Sequence, residues 1–278
     1  MSEVIERSEL ILAGPARALG GLLGVPLPDF DGGEALPLLW HWLYTLDRPA
    51  QADLGPNGSP VRDALPPPPG PGRRRMWAGG RVRFLGGLRC GEPATRRTQV
   101  LSTEKKEGRS GRLTFVTVGH EIVQGGRVIV EERQDSVYRD VHDVTAPEVE
   151  AEPTSSVEER SGPDDWSIDI TPSLLFRFSA LTYNAYRIHW DRGYARNVEG
   201  YPGLVTHGPL QALAIAEAAR ARGLVPADGV TFDYRIVAPL FDHQGLVAGV
   251  TADGDGVRGA VRDIAGRQTA CATITPAG

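Results

Sequence analysis

The chain has 278 residues, 41% of them hydrophobic, and 30 Lys and Arg against 35 Asp and Glu give a net charge of −5. This length fits one large domain or two ordinary ones, and the acidic balance argues against a nucleic-acid-binding protein, which is usually strongly basic. Two cysteines are too few for a disulfide framework, no apolar run is long enough to span a membrane, and the acidic N-terminus is unlike a signal peptide. We therefore expect a soluble, cytoplasmic protein with no nucleic-acid or membrane partner.

The first 72 residues predict two helices and a loop. Leu, Ile and Ala recur at helical spacing over residues 8–23. Residues 36–46 are apolar nearly all round, with Pro37 at a favourable first position, which predicts a short buried helix. Residues 49–72 are rich in proline and predict a loop with polyproline II character, and a ligand for a proline-binding module is the alternative.

After this loop the hydrophobic pattern alternates, which predicts strands. The strand-like runs of this part are residues 77–88, 97–103, 113–123 and 128–137. Because no helix separates them, we expect an antiparallel sheet. Nearly all the charged residues between positions 143 and 165 are acidic, which predicts a solvated linker. An acidic interaction tail is the alternative.

The second half repeats this order. Residues 182–203 look irregular, and residues 208–222 form the clearest helix, with Pro209 in its first turn and Gly223 after its end. Four strand-like runs follow, at residues 230–238, 246–253, 256–263 and 268–275. We therefore predict an α+β fold of two copies, residues 1–142 and 166–278, joined by the linker 143–165, with a sheet around a helix in each copy.

Three familiar signals carry little weight. Gly254 to Gly259 matches the G-x-G-x-x-G pattern, but strand-like sequence follows where a dinucleotide site needs a helix. Asp253 and Asp255 resemble the start of a calcium loop, but Ile264 stands where that loop needs Glu. His41, between two tryptophans, is typical of a hydrogen-bonded core histidine, with a role in a site as the alternative. The sequence thus predicts no metal site.

The residues that point to chemistry lie between 178 and 209. His189 lies in a segment dense in polar and aromatic groups, and His207 and Gly208 begin the strong helix. The free N–H groups at a helix N-terminus can stabilise a developing oxyanion, and an imidazole near them suits proton transfer beside a carbonyl. The residues alone therefore indicate an acid–base site with an oxyanion hole, and histidines that only satisfy buried backbone are the alternative.

These residues carry a resemblance to a known family. The pattern Asn184-Ala-Tyr-Arg-Ile-His189-x-Asp191, followed by residues 200–208 (Gly-Tyr-Pro-Gly-Leu-Val-Thr-His-Gly), resembles the hydratase motif of MaoC-like hotdog enzymes. Residues 39–44, 75–81 and 177–184 resemble the branch of type 2 hydroxyacyl-thioester dehydratases that includes mesaconyl-C4-CoA hydratases. The resemblance implies a double hotdog fold, with a long helix wrapped by an antiparallel sheet in each half. It also implies reversible hydration of an enoyl thioester, or dehydration of its 3-hydroxyacyl form.

The resemblance also implies site roles. His189 is the expected general base, the Gly208 amide is expected to bind the thioester oxygen, and Asn184 is expected to orient water. Most MaoC-like hydratases have Asp at the position of Asn184. Because an amide cannot accept a proton from water near neutral pH, we do not expect Asn184 to act as a second base. Asp191 is expected either to position the imidazole of His189 or to have a purely structural role. His207 is expected to contact the catalytic residues and not the substrate.

The N-terminal half lacks a matching motif, so we expect it to shape the acyl pocket. Arg75, Arg81 and Arg83 are candidates for contacts to the phosphates of the substrate carrier, since guanidinium groups suit phosphate geometry. Coenzyme A or phosphopantetheine enters as part of the substrate, and no separate cofactor or metal is expected. An acyl-carrier-protein dehydratase, an acyl-CoA thioesterase and a non-catalytic acyl-thioester binder are the alternatives, and a homodimer is a possible assembly.

Overall fold

The computed structural model describes residues 4–62, 65–68, 73–108, 111–140, 157–225 and 229–277. Within them the chain forms one antiparallel sheet whose strand order is β1-β3-β4-β5-β2-β7-β10-β9-β8-β6. The strands are β1 (Ile5–Leu10), β2 (Arg73–Phe84), β3 (Pro93–Gly108), β4 (Gly111–Gln124), β5 (Arg127–Asp140), β6 (Trp166–Ile168), β7 (Val230–Ile236), β8 (Leu246–Asp253), β9 (Gly256–Arg262) and β10 (Gln268–Pro276).

The order divides the sheet into two sets of five strands. Strands β1 to β5 all precede helix α2 (Val157–Arg160) in the chain and make up the N-terminal half of the sheet, and β6 to β10 all follow α2 and make up the C-terminal half. Strands β2 and β7 pair from Gly79↔Arg235 to Phe84↔Val230 and make the sheet continuous. The predicted α+β class and antiparallel pairing are confirmed, and the two sheets expected from the sequence are joined edge to edge.

The C-terminal half contains the long helix expected from its sequence. The helices are α1 (Ala13–Leu23), α2 (Val157–Arg160), α3 (Pro172–Leu181), α4 (Arg192–Asn197) and α5 (Gly208–Ala221). Helix α5 packs against β8, β9 and β10, and Leu210, Leu213 and Ile215 are fully buried. Because apolar or small residues fill almost every position of α5, burying it on all sides is favourable.

The N-terminal half has no equivalent of α5 in its described part. Helix α1 packs against α3 and against the 3-10 helix Trp40–Leu43. The buried helix predicted over residues 36–46 is reduced to that single turn, because Leu39 (φ 69°) and Thr45 (φ 51°) adopt the left-handed conformation on either side of it. The inner face of β3, β4 and β5 is therefore left facing a cavity.

One row of paired residues across the sheet shows the difference between the two halves, because its residue types change from polar to apolar. Cross-strand pairing places Thr98, His120, Glu132, Val82, Phe232 and Ile274 in register across β3, β4, β5, β2, β7 and β10. All six are buried. The three members of β3 to β5 are polar and the three members of β2, β7 and β10 are apolar, so the sheet changes from a polar cavity wall to an apolar core along one row.

A buried polar contact ties the two halves together. The Trp40 indole N–H donates to Glu217 Oε1 at 2.8 Å, and Arg220 pairs with Glu217 Oε2 at 2.6 Å. The Glu217 side chain is only 1% exposed. A carboxylate buried this deeply needs such partners to offset the cost of desolvation, so Glu217 of α5 anchors the N-terminal half.

Several predicted elements differ at their bounds. The helix predicted from residue 8 begins at Ala13, because residues 5–10 pair with β3 as an edge strand. Helix α3 was not predicted; it begins at Pro172, and the Thr171 hydroxyl caps it by accepting from the Leu174 N–H. Of the acidic linker predicted over 143–165, residues 143–156 lie outside the described residues. Among the described helices, none has the length and apolar character needed to cross a membrane.

Candidate active site

A cavity of about 730 Å³ lies between the two halves. The N-terminal half contributes residues of β2, β4 and β5 and of the loop between the 3-10 helix Trp40–Leu43 and Pro60, and the C-terminal half contributes the end of α3 and the start of α5. The predicted loop 49–72 is described at 49–62 and 65–68, where several of its residues line this cavity. The cavity therefore collects side chains from segments that are far apart in sequence.

The end of α3 presents Asn184 to this cavity. Tyr183 adopts the left-handed conformation with φ 53° and ends the helix, and the Asn184 N–H donates to the Ser179 carbonyl at 2.8 Å. The Asn184 Oδ1 accepts from the Tyr186 N–H at 3.0 Å. Because its oxygen is used in this turn, Asn184 has its amide N–H groups to offer to a molecule in the cavity.

His189 is held in one tautomer close to this turn. It ends the 3-10 helix Arg187–His189, and its Nδ1 lies 2.7 Å from the Val205 carbonyl oxygen. A carbonyl only accepts, so Nδ1 carries the proton and Nε2 carries the lone pair. Burial lowers the pKa of His189 to about 4. The imidazole is therefore neutral near pH 7, as a general base must be.

His207 stacks directly on His189. The ring centroids are 3.7 Å apart with 17° between the planes, and His207 Nε2 lies 2.9 Å from the Ser179 hydroxyl. Burial lowers the pKa of His207 well below its usual value, and its buried Nδ1 has no hydrogen-bond partner within the described structure. Of the two rings, His207 lines the cavity, whereas His189 retains 7% exposure and does not contribute to the wall.

Gly208 begins α5 at the cavity wall, between His207 and Pro209, which both line the cavity. The N–H of a first helical residue has no acceptor within its helix, and Pro209 has no N–H, so the Gly208 amide is the donor available at this point. A methyl group on Gly208 would lie 3.3 Å from Ile236 Cγ1 and 3.5 Å from Trp77 Cγ. A glycine here keeps the amide open to close approach by a carbonyl oxygen.

The sequence left two roles open for Asp191, as a partner of the imidazole or as a structural residue. Its Oδ1 accepts from the Tyr194 N–H at 2.9 Å, which caps α4, and its Oδ2 pairs with Arg187 at 2.7 Å. The Val205 carbonyl, and not Asp191, is the hydrogen-bond partner of His189 Nδ1. Of the two roles left open for Asp191, the structure therefore supports the structural one.

The three arginines predicted to meet phosphate groups are separated. Arg75 lines the cavity. Arg81 pairs with Asp233 at 2.6 Å and Arg83 pairs with Glu131 at 2.5 Å, and both lie on the face of β2 opposite the buried Val82. Neither Arg81 nor Arg83 reaches the cavity, so the structure brings only Arg75 together with Asn184, His207 and Gly208.

The N-terminal half contains a polar cluster that was not predicted from the sequence. Glu132 accepts from the indole N–H of Trp42 and from Gln134, and its Oε2 lies 3.1 Å from His41 Nε2. Burial would raise the pKa of Glu132, but the hydrogen bond and positive potential of His41 outweigh it and lower the pKa to about 2. His41 is buried, as expected, yet it lines the cavity with Glu132 and His120. The alternation of β4 and β5, which puts His120 and Glu132 on the inner face, is the signal that could have revealed this cluster.

Throughout the described ranges, no three His, Cys, Asp or Glu side chains converge in a way that could hold a metal ion.

Comparison with known proteins decides the family. Residues 39–242 match the family model for type 2 hydroxyacyl-thioester dehydratases. Over 222 residues, 79% of this chain and 74% of the relative, the sequence is 48% identical to mesaconyl-C4-CoA hydratase of Chloroflexus aurantiacus. This chain belongs to the type 2 hydroxyacyl-thioester dehydratase family.

Solved structures confirm the fold of this dehydratase. HtdX of Mycobacterium tuberculosis superposes with a TM-score of 0.68 at 16% identity, over 99% of this chain and all of that one. A second Mycobacterium tuberculosis protein, described as a double hotdog, superposes with a TM-score of 0.57 at 15% identity, over 98% and 94% of the two chains. The predicted double hotdog is thus confirmed.

Membership in this dehydratase family also confirms the predicted reaction class. The protein is a hydro-lyase that adds water to an enoyl thioester or removes it from a hydroxyacyl thioester. The thioesterase and the non-catalytic binder, left open by the sequence, are therefore not supported.

Proposed function

We propose that this hydratase acts on a short, branched enoyl-CoA of the mesaconyl-C4-CoA type and converts it to citramalyl-CoA. The observation that carries the proposal is the Gly208 amide at the start of α5, next to two stacked neutral imidazoles and the exposed amide of Asn184. The 48% identity to a mesaconyl-C4-CoA hydratase supports the substrate. The polar wall formed by His120, Glu132 and their neighbours suits a short polar acyl group better than a long aliphatic chain.

In this mechanism His189 Nε2 takes a proton from water, and the oxygen forms a bond to C3 of the enoyl group. The electron pair of the C2=C3 bond moves to C2 and the thioester carbonyl, which becomes enolate-like. The Gly208 N–H, aided by the N-terminal potential of α5, stabilises the oxygen that gains charge. The proton on His189 then passes to C2, so that one water molecule has been added and the imidazole is neutral again.

Asn184 and His207 act as positioning residues in this proposal. Asn184 can donate to the attacking water through its amide group but cannot remove its proton. His207 packs flat on His189 and is itself held by Ser179, so it fixes the plane of the base. One histidine thus serves as general base for hydration and general acid for dehydration.

Coenzyme A, rather than an acyl carrier protein, is the carrier we propose, on the strength of the CoA-dependent relative. The absence of a separate cofactor or metal, the homodimer and the cytoplasmic location stay predictions from the sequence.

The test is a panel of mesaconyl-C4-CoA, crotonyl-CoA and a long-chain enoyl-CoA. We expect the enoyl-thioester absorbance to fall most efficiently with mesaconyl-C4-CoA, with no release of free thiol. A preference for the long chain would contradict the proposed substrate, and thiol release would contradict the proposed reaction.

A further inference from the structure

Strand β2 carries several arginines, and most of them have acidic partners. Arg74 pairs with Glu199 at 2.5 Å, Arg81 with Asp233 and Arg83 with Glu131. Arg75 is different: its guanidinium donates to the Pro66 carbonyl oxygen at 3.4 Å and interacts with the Tyr138 hydroxyl. Among the described residues, no carboxylate lies within ion-pair distance of Arg75.

The acids of the cavity wall are already balanced. Asp47 pairs with both Arg7 and Arg96, at 2.5 and 2.9 Å. Glu132 is satisfied by His41, Trp42 and Gln134. Arg75 is therefore a cation on the wall of this cavity without a counter-ion in the described structure, and a partly desolvated cation of this kind favours an anionic ligand.

The position of Arg75 limits which anion this can be. Arg75 and Trp77 alternate onto the same face of β2 and both line the cavity, and two residues along a strand are about 6.6 Å apart. Trp77 is in turn a neighbour of Gly208, where the thioester oxygen is proposed to bind, because a methyl group on Gly208 would lie 3.5 Å from Trp77 Cγ. The long pantetheine arm separates the phosphates of coenzyme A from the thioester, so an anion this close to Gly208 is better supplied by the acyl group itself.

Ser136 completes the subsite. It lies directly opposite Trp77 in the pairing of β2 with β5, which makes it the diagonal neighbour of Arg75, and it lines the same cavity. Diagonal positions on one face of an antiparallel pair are close enough for long side chains to meet. A guanidinium and a hydroxyl can thus both donate to one carboxylate.

We propose that Arg75, assisted by Ser136, binds the free carboxylate of a dicarboxylic acyl group and so determines the specificity of this hydratase for dicarboxylic monothioesters. This inference rests on the proposed hydratase function and names the group that selects its substrate. The planar guanidinium suits a carboxylate because it can form two parallel hydrogen bonds.

The experiment compares Arg75→Gln with Arg81→Gln, a matched control on the same strand whose side chain lies outside the cavity. The substrates are mesaconyl-C4-CoA, 3-methylcrotonyl-CoA, in which a methyl group replaces the carboxylate, and the N-acetylcysteamine thioester of mesaconate, which lacks phosphates. We expect Arg75→Gln to lower kcat/KM about 10–100-fold for both carboxylated thioesters, as loss of a charged hydrogen bond implies, and to leave 3-methylcrotonyl-CoA within about twofold. Arg75→Lys, which keeps the charge but not the two-pronged geometry, should recover part of the loss.

Two outcomes would overturn this assignment. A loss shared by both CoA thioesters and absent from the N-acetylcysteamine thioester would mean that Arg75 contacts phosphate, and no loss with any substrate would mean that Arg75 binds neither anion. Calorimetric binding of methylsuccinyl-C4-CoA, which cannot be hydrated, separates this inference from the reaction. Binding that depends on Arg75 in a wild-type protein without hydratase activity would uphold the subsite and contradict the proposed function.

Discussion

Replacing His189 by Gln tests the proposed base without emptying its site. The Gln amide can donate to the Val205 carbonyl in place of Nδ1, so that acceptor need not be left unpaired in the core. General acid–base groups contribute about 10²–10⁴-fold to rate, and we expect kcat to fall by that order. His243→Gln is a matched control, because His243 lies outside the cavity wall and should keep full turnover.

The pKa of His189 makes the same variant informative about stability. The pKa is about 4 in the folded protein, whereas an unperturbed histidine titrates near 6.5, and a shift of this size corresponds to about 3 kcal/mol. Between these two values the unfolded chain binds a proton that the folded protein does not, so the free energy of unfolding falls as pH is lowered from about 6.5 to 4. His189→Gln should therefore lose less stability than wild type over this range.

The assays are hydration rate against pH and urea unfolding followed by circular dichroism at several pH values. For wild type, kcat/KM should decline only as pH approaches 4, because the base must be neutral. Because His207 lines the cavity and His189 does not, His207→Gln is the decisive comparison. If His189→Gln kept near-wild-type turnover while His207→Gln lost it, the base would be His207 and the assignment to His189 would be wrong.

Five further outcomes are expected. Asn184→Ala should lower turnover and leave the circular dichroism spectrum unchanged. Asn184→Asp should move the acidic limb of the pH–rate profile to higher pH, because a nearby negative charge raises the pKa of an imidazole. An unshifted limb would mean that residue 184 is not beside His189. Gly208→Ala should lower kcat strongly and thermal stability only slightly. The added methyl group meets only ordinary or slightly tight contacts, but it narrows the space through which the thioester oxygen reaches the amide. An unchanged kcat would exclude the oxyanion role. Glu217→Ala should lower the free energy of unfolding by about 3–5 kcal/mol, because it removes the buried partner of Arg220 and Trp40. Urea titration measures this free energy, and a change below about 1 kcal/mol would contradict the anchoring role. Activity should survive exhaustive EDTA treatment, and loss of activity that a divalent ion restores would reveal a metal that the sequence did not predict.

Local sequence patterns were enough to predict the long helix α5 and strands such as β8 in the C-terminal half. Strand β8 runs over the predicted residues 246–253, and α5 begins at the predicted Gly208. These elements were predictable because their signals are local: alternation for a strand facing one core, and Pro209 and Gly223 bounding an apolar run. The motif of the proposed site was equally accessible because Asn184, His189 and Gly208 lie within 25 positions of one another in the sequence.

Long-range contacts were not accessible in the same way. The edge strand β1 exists because it pairs with β3, about 90 positions away in sequence, and no local pattern states that partner. The alternation of β4 and β5 indicates that His120 and Glu132 face inward, but only the register of the two strands shows that these side chains lie side by side. The sequence left open whether Asp191 contacts His189 or is structural, and its place directly before α4 makes it the N-cap of that helix.

The proposed hydration can be followed atom by atom by incubating the purified protein with mesaconyl-C4-CoA in water enriched in oxygen-18 and analysing the product by mass spectrometry. The mechanism predicts that the enoyl absorbance falls, that the thioester stays intact, and that the product gains one labelled water with the oxygen on C3. Release of free coenzyme A with the label in a carboxylate would show hydrolysis instead, and an unchanged substrate would show that this protein does not hydrate it.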